Sequence, residues 1–165
     1  MNPTTNMPSA RYAAGGDRAV ILDNQACMPV RPADERFVAQ LARHKAAGAT
    51  VAYLNVSCDC EPPRPFEMLE SFRSWITARP DEYILGSGVA DIHRAKREGK
   101  LAVFFDVEGG IPVQEDPEVV ARLYALGVRW MLLAYNRYHK LAVGGPDEDT
   151  SLTAQGRKVL DVLKR

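Results

Sequence analysis

A chain of 165 residues is long enough for one domain with a real core and short for more than one. A hydrophobic content of 46% and a charged content of 25% are those of an ordinary globular protein. The 21 basic and 21 acidic residues cancel, and no Lys/Arg block stands out, which argues against a nucleic-acid surface or an anionic membrane surface as partner.

No apolar stretch is long enough to span a bilayer, so no membrane role is expected. Residues 1–16 are small and polar, interrupted by Pro3 and Pro8, and lack the apolar segment of a secretory signal. They are expected to form a flexible N-terminal arm ahead of a domain over 17–165. The three cysteines, Cys27, Cys58 and Cys60, are an odd number without a signal peptide. That pattern fits a reducing cytosol better than a disulfide framework, so a cytoplasmic location is expected.

Ala19-Val20-Ile21-Leu22, ending in Asp23-Asn24, reads as a first buried strand. Asp34 then caps a helix with an apolar face of Phe37, Val38, Leu41 and Ala42, stopped by Gly48. The β-branched and aromatic run 50–56 is a second strand. A Pro-rich loop leads to a helix over Phe66, Leu69, Phe72 and Ile76, broken at Pro80. A further helix over 89–98 stops at Gly99, and Trp75 and Trp130 are read as core. His44 and His93 lie among Lys and Arg on helices and read as solvated.

The run Leu101-Ala102-Val103-Phe104-Phe105-Asp106-Val107-Glu108-Gly109-Gly110 organises the rest. It is apolar at successive positions, as in a strand covered on both faces. Asp106 and Glu108 are two apart, so they point to one side at the strand's C-terminal end. Carboxylates there are candidates for a metal ligand or a base; equally, they can cap the following loop or helix. Asp116-Pro117-Glu118 marks the next helix start, with Val119, Val120, Leu123, Tyr124 and Leu126 as its stripe. A fourth strand follows over 128–134, and a last helix begins near Thr153.

Strictly alternating strands and helices mean a parallel sheet with right-handed crossovers, either open and doubly wound or part of a (β/α) barrel. No glycine-rich phosphate cradle follows any strand. The last helix runs to Lys164-Arg165, and about four βα units are present where a complete barrel has eight and typically ~250 residues. The expectation is therefore an N-terminal half, or a truncated chain. Such a half exposes two strand edges and should associate with itself or with a missing C-terminal half.

Several stretches together resemble the membrane (renal-type) dipeptidases, the M19 metallopeptidases among the amidohydrolase-like barrels. They are Phe104-Phe105-Asp106-Val107-Glu108-Gly109; Leu123-Tyr124-Ala125-Leu126-Gly127-Val128-Arg129-Trp130-Met131 with Asn136; Ser151-Leu152-Thr153-Ala154-Gln155-Gly156-Arg157-Lys158-Val159; and Leu22-Asp23-Asn24-Gln25-Ala26-Cys27-Met28-Pro29. The resemblance implies an α/β fold of parallel (β/α) units forming the N-terminal half of a TIM-type (β/α)8 barrel. It also implies zinc at the barrel mouth and hydrolysis of dipeptides.

By resemblance, Glu108 falls on the carboxylate that bridges both metals. The first-strand His and Asp ligands align with Gln25 and Cys27; an amide is a poor zinc ligand, and a thiol a good one only as thiolate. A substrate-steadying His falls on Tyr135, with Asn136 and His139 beside it as candidate substrate-site residues. Further ligands and substrate-binding residues of the family lie past Arg165. The Cys58-x-Cys60 pair is a weak metal signal. The readings left open are a zinc-dependent dipeptidase represented by an N-terminal portion, a non-catalytic or truncated relative keeping the scaffold, and an amidohydrolase-like activity using one metal.

Overall fold

Strand β4 (Leu101–Glu108) is buried at every position, and the other elements are arranged around it. The computed structural model describes residues 19–29, 31–32, 34–58, 60–135, 140–142 and 152–165. The arm expected over 1–16, and the candidates Asn136 and His139, lie outside the described residues.

β1 (Leu22–Ala26), β2 (Val51–Cys58), β3 (Tyr83–Leu85) and β5 (Val128–Leu132) pair in parallel around β4, in the order β1-β2-β4-β3 with β5 also on β4. β3 meets Leu101, Ala102 and Val103, whereas β5 meets Phe105 through Glu108. The two therefore share one edge of β4, one at its start and one at its end. The helices are α1 (Glu35–Val38), α2 (Leu41–Ala46), α3 (Arg64–Thr77), α4 (Val89–Glu98), α5 (Val119–Ala125) and α6 (Ala154–Leu163), with a 3-10 turn at Ile111–Val113. The parallel α/β architecture is as expected from alternation.

Five details differ from the sequence reading. The first strand begins where the apolar run ends, because its partners are Val51, Ala52 and Leu54 of β2 rather than its own hydrophobicity. The helix expected from Asp34 to Gly48 is two short helices, since Ala42 and Arg43 bond back to Ala39 and Gln40 in the tighter three-residue pattern. β3 was not foreseen; three apolar residues between Pro80 and Gly86 have no readable period and become a strand by pairing with β4. The Asp116-Pro117 start is likewise a three-residue turn, and regular helix begins at Val119. The fourth barrel-type strand stops at Leu132 rather than at 134.

Other signals act as written. Gly99 closes α4 in the left-handed region at φ 64°, and the Thr153 hydroxyl accepts from Gly156 N at 3.0 Å to cap α6. Trp75 is buried, but Trp130 is half-buried at the β5 edge, so it is not the core residue expected. His93 is exposed, while His44 pairs with Asp23 at 3.0 Å.

The alternation of β4 divides the core in two. Leu101, Val103, Phe105 and Val107 face the larger cluster, with Met68, Leu69 and Phe72 of α3, Val120 and Leu123 of α5 and Val159 of α6. Each such side chain stabilises by roughly 1.5–3 kcal/mol when fully buried. Ala102 and Phe104 face the other way, with Val51, Ile84 and Ala95 of α4. Phe104 stacks on Tyr53 at 5.1 Å and 18°. Gly86 lies under the Phe104 ring, where a Cβ would come within 2.4 Å of it. This second cluster is a floor beneath the C-terminal ends of the strands. Asp106 and Glu108 continue the same face above it.

Candidate carboxylate site at the strand ends

β2 and β4 set the site by register. Asn55 is paired with Asp106 and Cys58 with Glu108. Tyr53 and Asn55 lie on the β2 side of the face that carries Phe104 and Asp106 on β4, and a register shift after Asn55 brings Cys58 level with Glu108. Glu108 is followed by Gly109 at φ 97°, which lets the chain turn away directly behind the acid. A Cβ on Gly110 would come within 2.4 Å of the Leu133 carbonyl, so the turn packs tightly on the end of β5.

Both acids are buried, Asp106 completely and Glu108 at 6% exposure. The Asn55 amide donates to Asp106 Oδ1 at 3.0 Å and to Glu108 Oε2 at 3.4 Å. Its own carbonyl accepts from Ser57 N at 2.8 Å, which fixes the amide's orientation. Gln25, reaching from β1, donates through Nε2 to Glu108 Oε1. The Cys58 thiol donates to Glu108 Oε2 at 3.7 Å. Asp106 Oδ2 is buried and has no hydrogen-bond partner among the described residues. Among the described residues, neither acid takes part in an ion pair with a basic side chain.

The electrostatics follow from this geometry. Burial, and then the negative charge of Glu108, push the Asp106 carboxyl up to about 7, against the opposing hydrogen bond from Asn55. Cys27 is raised from the ordinary thiol range by its partial burial and by the charges of Glu108, Asp106 and Asp23. A thiol shifted in that direction is protonated at neutral pH and a weak nucleophile. Cys60 closes the loop after β2, its N–H donating to the Ser57 hydroxyl at 3.4 Å and its thiol to the Cys58 carbonyl at 3.4 Å.

Of the candidates from sequence, Gln25 and Glu108 are brought into contact, and Cys27 is exposed but close enough to feel the charge of Glu108. Tyr135 lies three residues past β5 and is 37% exposed, with Asn136 and His139 outside the described residues. The sequence reading missed Asn55. Its signal was present: a polar side chain inside a β-branched strand, in phase with Ser57, has to find a buried partner.

Among the described residues, no three or more His, Cys, Asp or Glu side chains converge as a metal-binding group. The orphaned oxygen of Asp106 favours a cation, but the donor set does not fit a resident metal centre. Two amides aim their N–H groups at the carboxylates, and the first strand offers an amide and a protonated thiol where the resemblance requires imidazole and carboxylate.

A parallel sheet with most of its helices on one face and α4 on the other, and two acids at the C-terminal end of β4, defines an α/β protein of the barrel type. The profile of the membrane dipeptidase family, peptidase family M19, matches residues 41–165, and the chain belongs to that family. Among curated proteins it is similar to the dipeptidase ataJ of Aspergillus terreus, 22% identical over 85 residues, covering 52% of this chain and 21% of that protein. An amidohydrolase from Pseudomonas aeruginosa superposes with a TM-score of 0.81 at 19% identity, covering 93% of this chain and 45% of its own. The probable dipeptidase PvdM from the same organism gives a TM-score of 0.78 at 14% identity, over 94% and 46%. A metallopeptidase from Rhodobacter sphaeroides, bound to a phosphinate mimic of the dipeptide L-Ala-D-Ala, gives 0.71 at 15%, over 86% and 55%. The chain thus spans about a fifth of that curated relative and about half of these solved ones.

Proposed function

We propose that the chain, over 17–165, is the N-terminal part of a barrel that hydrolyses dipeptides with the help of zinc, and that it works in the cytoplasm. The observation that carries this reading is Glu108, buried at the end of β4 directly before the Gly109 turn, in a chain of the M19 family. Such a carboxylate can hold a metal at the strand ends, where α/β barrels place their chemistry. Tyr135, exposed just past β5, would offer its hydroxyl to a dipeptide carbonyl. The described residues do not complete a metal centre, so further ligands would come from outside them.

The test is dipeptide hydrolysis by the protein carrying this chain, purified from its own cells, with Glu108→Ala beside it. The expected result is a loss of at least ~100-fold in the variant, with the circular dichroism unchanged. No hydrolysis of any dipeptide, with zinc supplied, overturns the catalytic reading. A second reading, a non-catalytic relative that keeps the scaffold, is favoured by one contact: the Gln25 amide on Glu108 Oε1.

A further inference from the structure

The acidic pair poses a physical problem. Two carboxylates on one face of one strand, both buried, repel each other and have lost their hydration. Sites of this kind are normally neutralised by a bound cation or by a basic side chain. Here, among the described residues, no basic side chain pairs with either acid.

We infer that Gln25 and Asn55 form a metal-free amide latch that takes the place of a metal ion as the counter-group of Glu108 and Asp106. Three strands meet in the latch: Gln25 on β1, Asn55 on β2 and the acids on β4. Each oxygen of Glu108 accepts from one amide, Oε1 from Gln25 and Oε2 from Asn55. Asn55 also holds Asp106 Oδ1, and its orientation is locked by Ser57 N. Hydrogen bonds to a charged acceptor are about twice as strong as neutral ones, so two amides are effective partners for a buried acid.

The latch has a mechanical consequence. Among the described residues β1 pairs with β2 alone and is mostly exposed, so its tie to Glu108 across β2 is a long-range restraint on an edge strand. It also has a chemical one. A divalent ion reaching Glu108 must displace the Gln25 amide, which opposes tight binding to this chain. The latch is a statement about how Glu108 is held, and it stands whether or not the whole protein hydrolyses dipeptides.

The experiment uses the 165-residue chain itself. Zinc content is measured after dialysis, and the melting temperature with zinc, with a chelator and with neither. The chain is expected to retain no zinc, and its melting temperature to move by less than about 2 °C in either condition. Gln25→Ala, Glu108→Ala and the double variant then form a cycle in metal-free buffer. Gln25→Ala is expected to lower the melting temperature by about 3–6 °C when Glu108 is present and by little once Glu108 is already alanine. Gln25→Ala, which frees Glu108 Oε1, is expected to gain a rise in melting temperature with added zinc that the parent lacks. Stoichiometric zinc in the dialysed parent, or a cycle whose single effects simply add, overturns the latch. Zinc retention would at the same time strengthen the dipeptidase reading, so the two fail separately.

Discussion

The two faces of β4 are built on different terms. One carries Leu101, Val103, Phe105 and Val107 into a cluster roofed by α3, α5 and α6. The other carries Ala102 and Phe104 over a small floor closed by α4, and then changes to Asp106 and Glu108. A strand's period of two keeps the two programmes on opposite sides of one peptide. Stability is concentrated on the first face, and the second accepts a destabilising acidic pair at its upper end.

That division can be broken at graded cost. Phe105→Ala removes a fully buried ring from the larger cluster and is expected to cost about 3–5 kcal/mol in urea unfolding. A cost under about 1 kcal/mol would mean that the helical roof does not carry the fold. Asp106 gives the next effect, through pH. Its carboxyl is raised to about 7 in the folded chain, mainly by burial, so the folded state binds this proton more tightly than the unfolded state. The stability it contributes is complete below about pH 4 and is lost as pH rises through about 7, by at most about 4 kcal/mol. Asp106→Asn is expected to flatten that slope between about pH 4 and 7, read as urea midpoints across the range.

Phe104→Ala tests the floor. It removes the stack on Tyr53 and the contact over Gly86, and is expected to cost about 3 kcal/mol, the low end for a buried ring. Thr153→Ala is the smallest change. It deletes the α6 cap and the hydroxyl's bonds to the Lys140 and Leu141 carbonyls, for about 1 kcal/mol. If Thr153→Ala cost as much as Phe105→Ala, the contrast between roof and periphery would be wrong.

The elements with strong local signals were legible in the sequence. β4 read as a strand covered on both sides and is buried throughout; α4 ended at its glycine; α6 began after its threonine. The family was legible too, because its motifs are runs of residues in order. What could not be read was set by distant partners. β3 exists because three residues find the start of β4, and β1 begins where β2 receives it rather than where its own residues are most apolar. At the site, Glu108 stood out as the acid before two glycines. Asn55 did not, because its meaning lies 51 residues away on Asp106.

The sequence by itself determined the strand–helix alternation, the placement of two acids on one side of β4, and the presence of Gln25 and Cys27 where the resemblance places imidazole and carboxylate. Periodicity, turn chemistry and residue identity are local properties, so a single chain displays them. Tertiary structure alone decided that β3 and β5 share one edge, that α4 closes the floor, and that Gln25 and Asn55 answer the charge of Glu108 and Asp106. Those outcomes depend on register across strands, where one residue of slip would turn each amide to the opposite face.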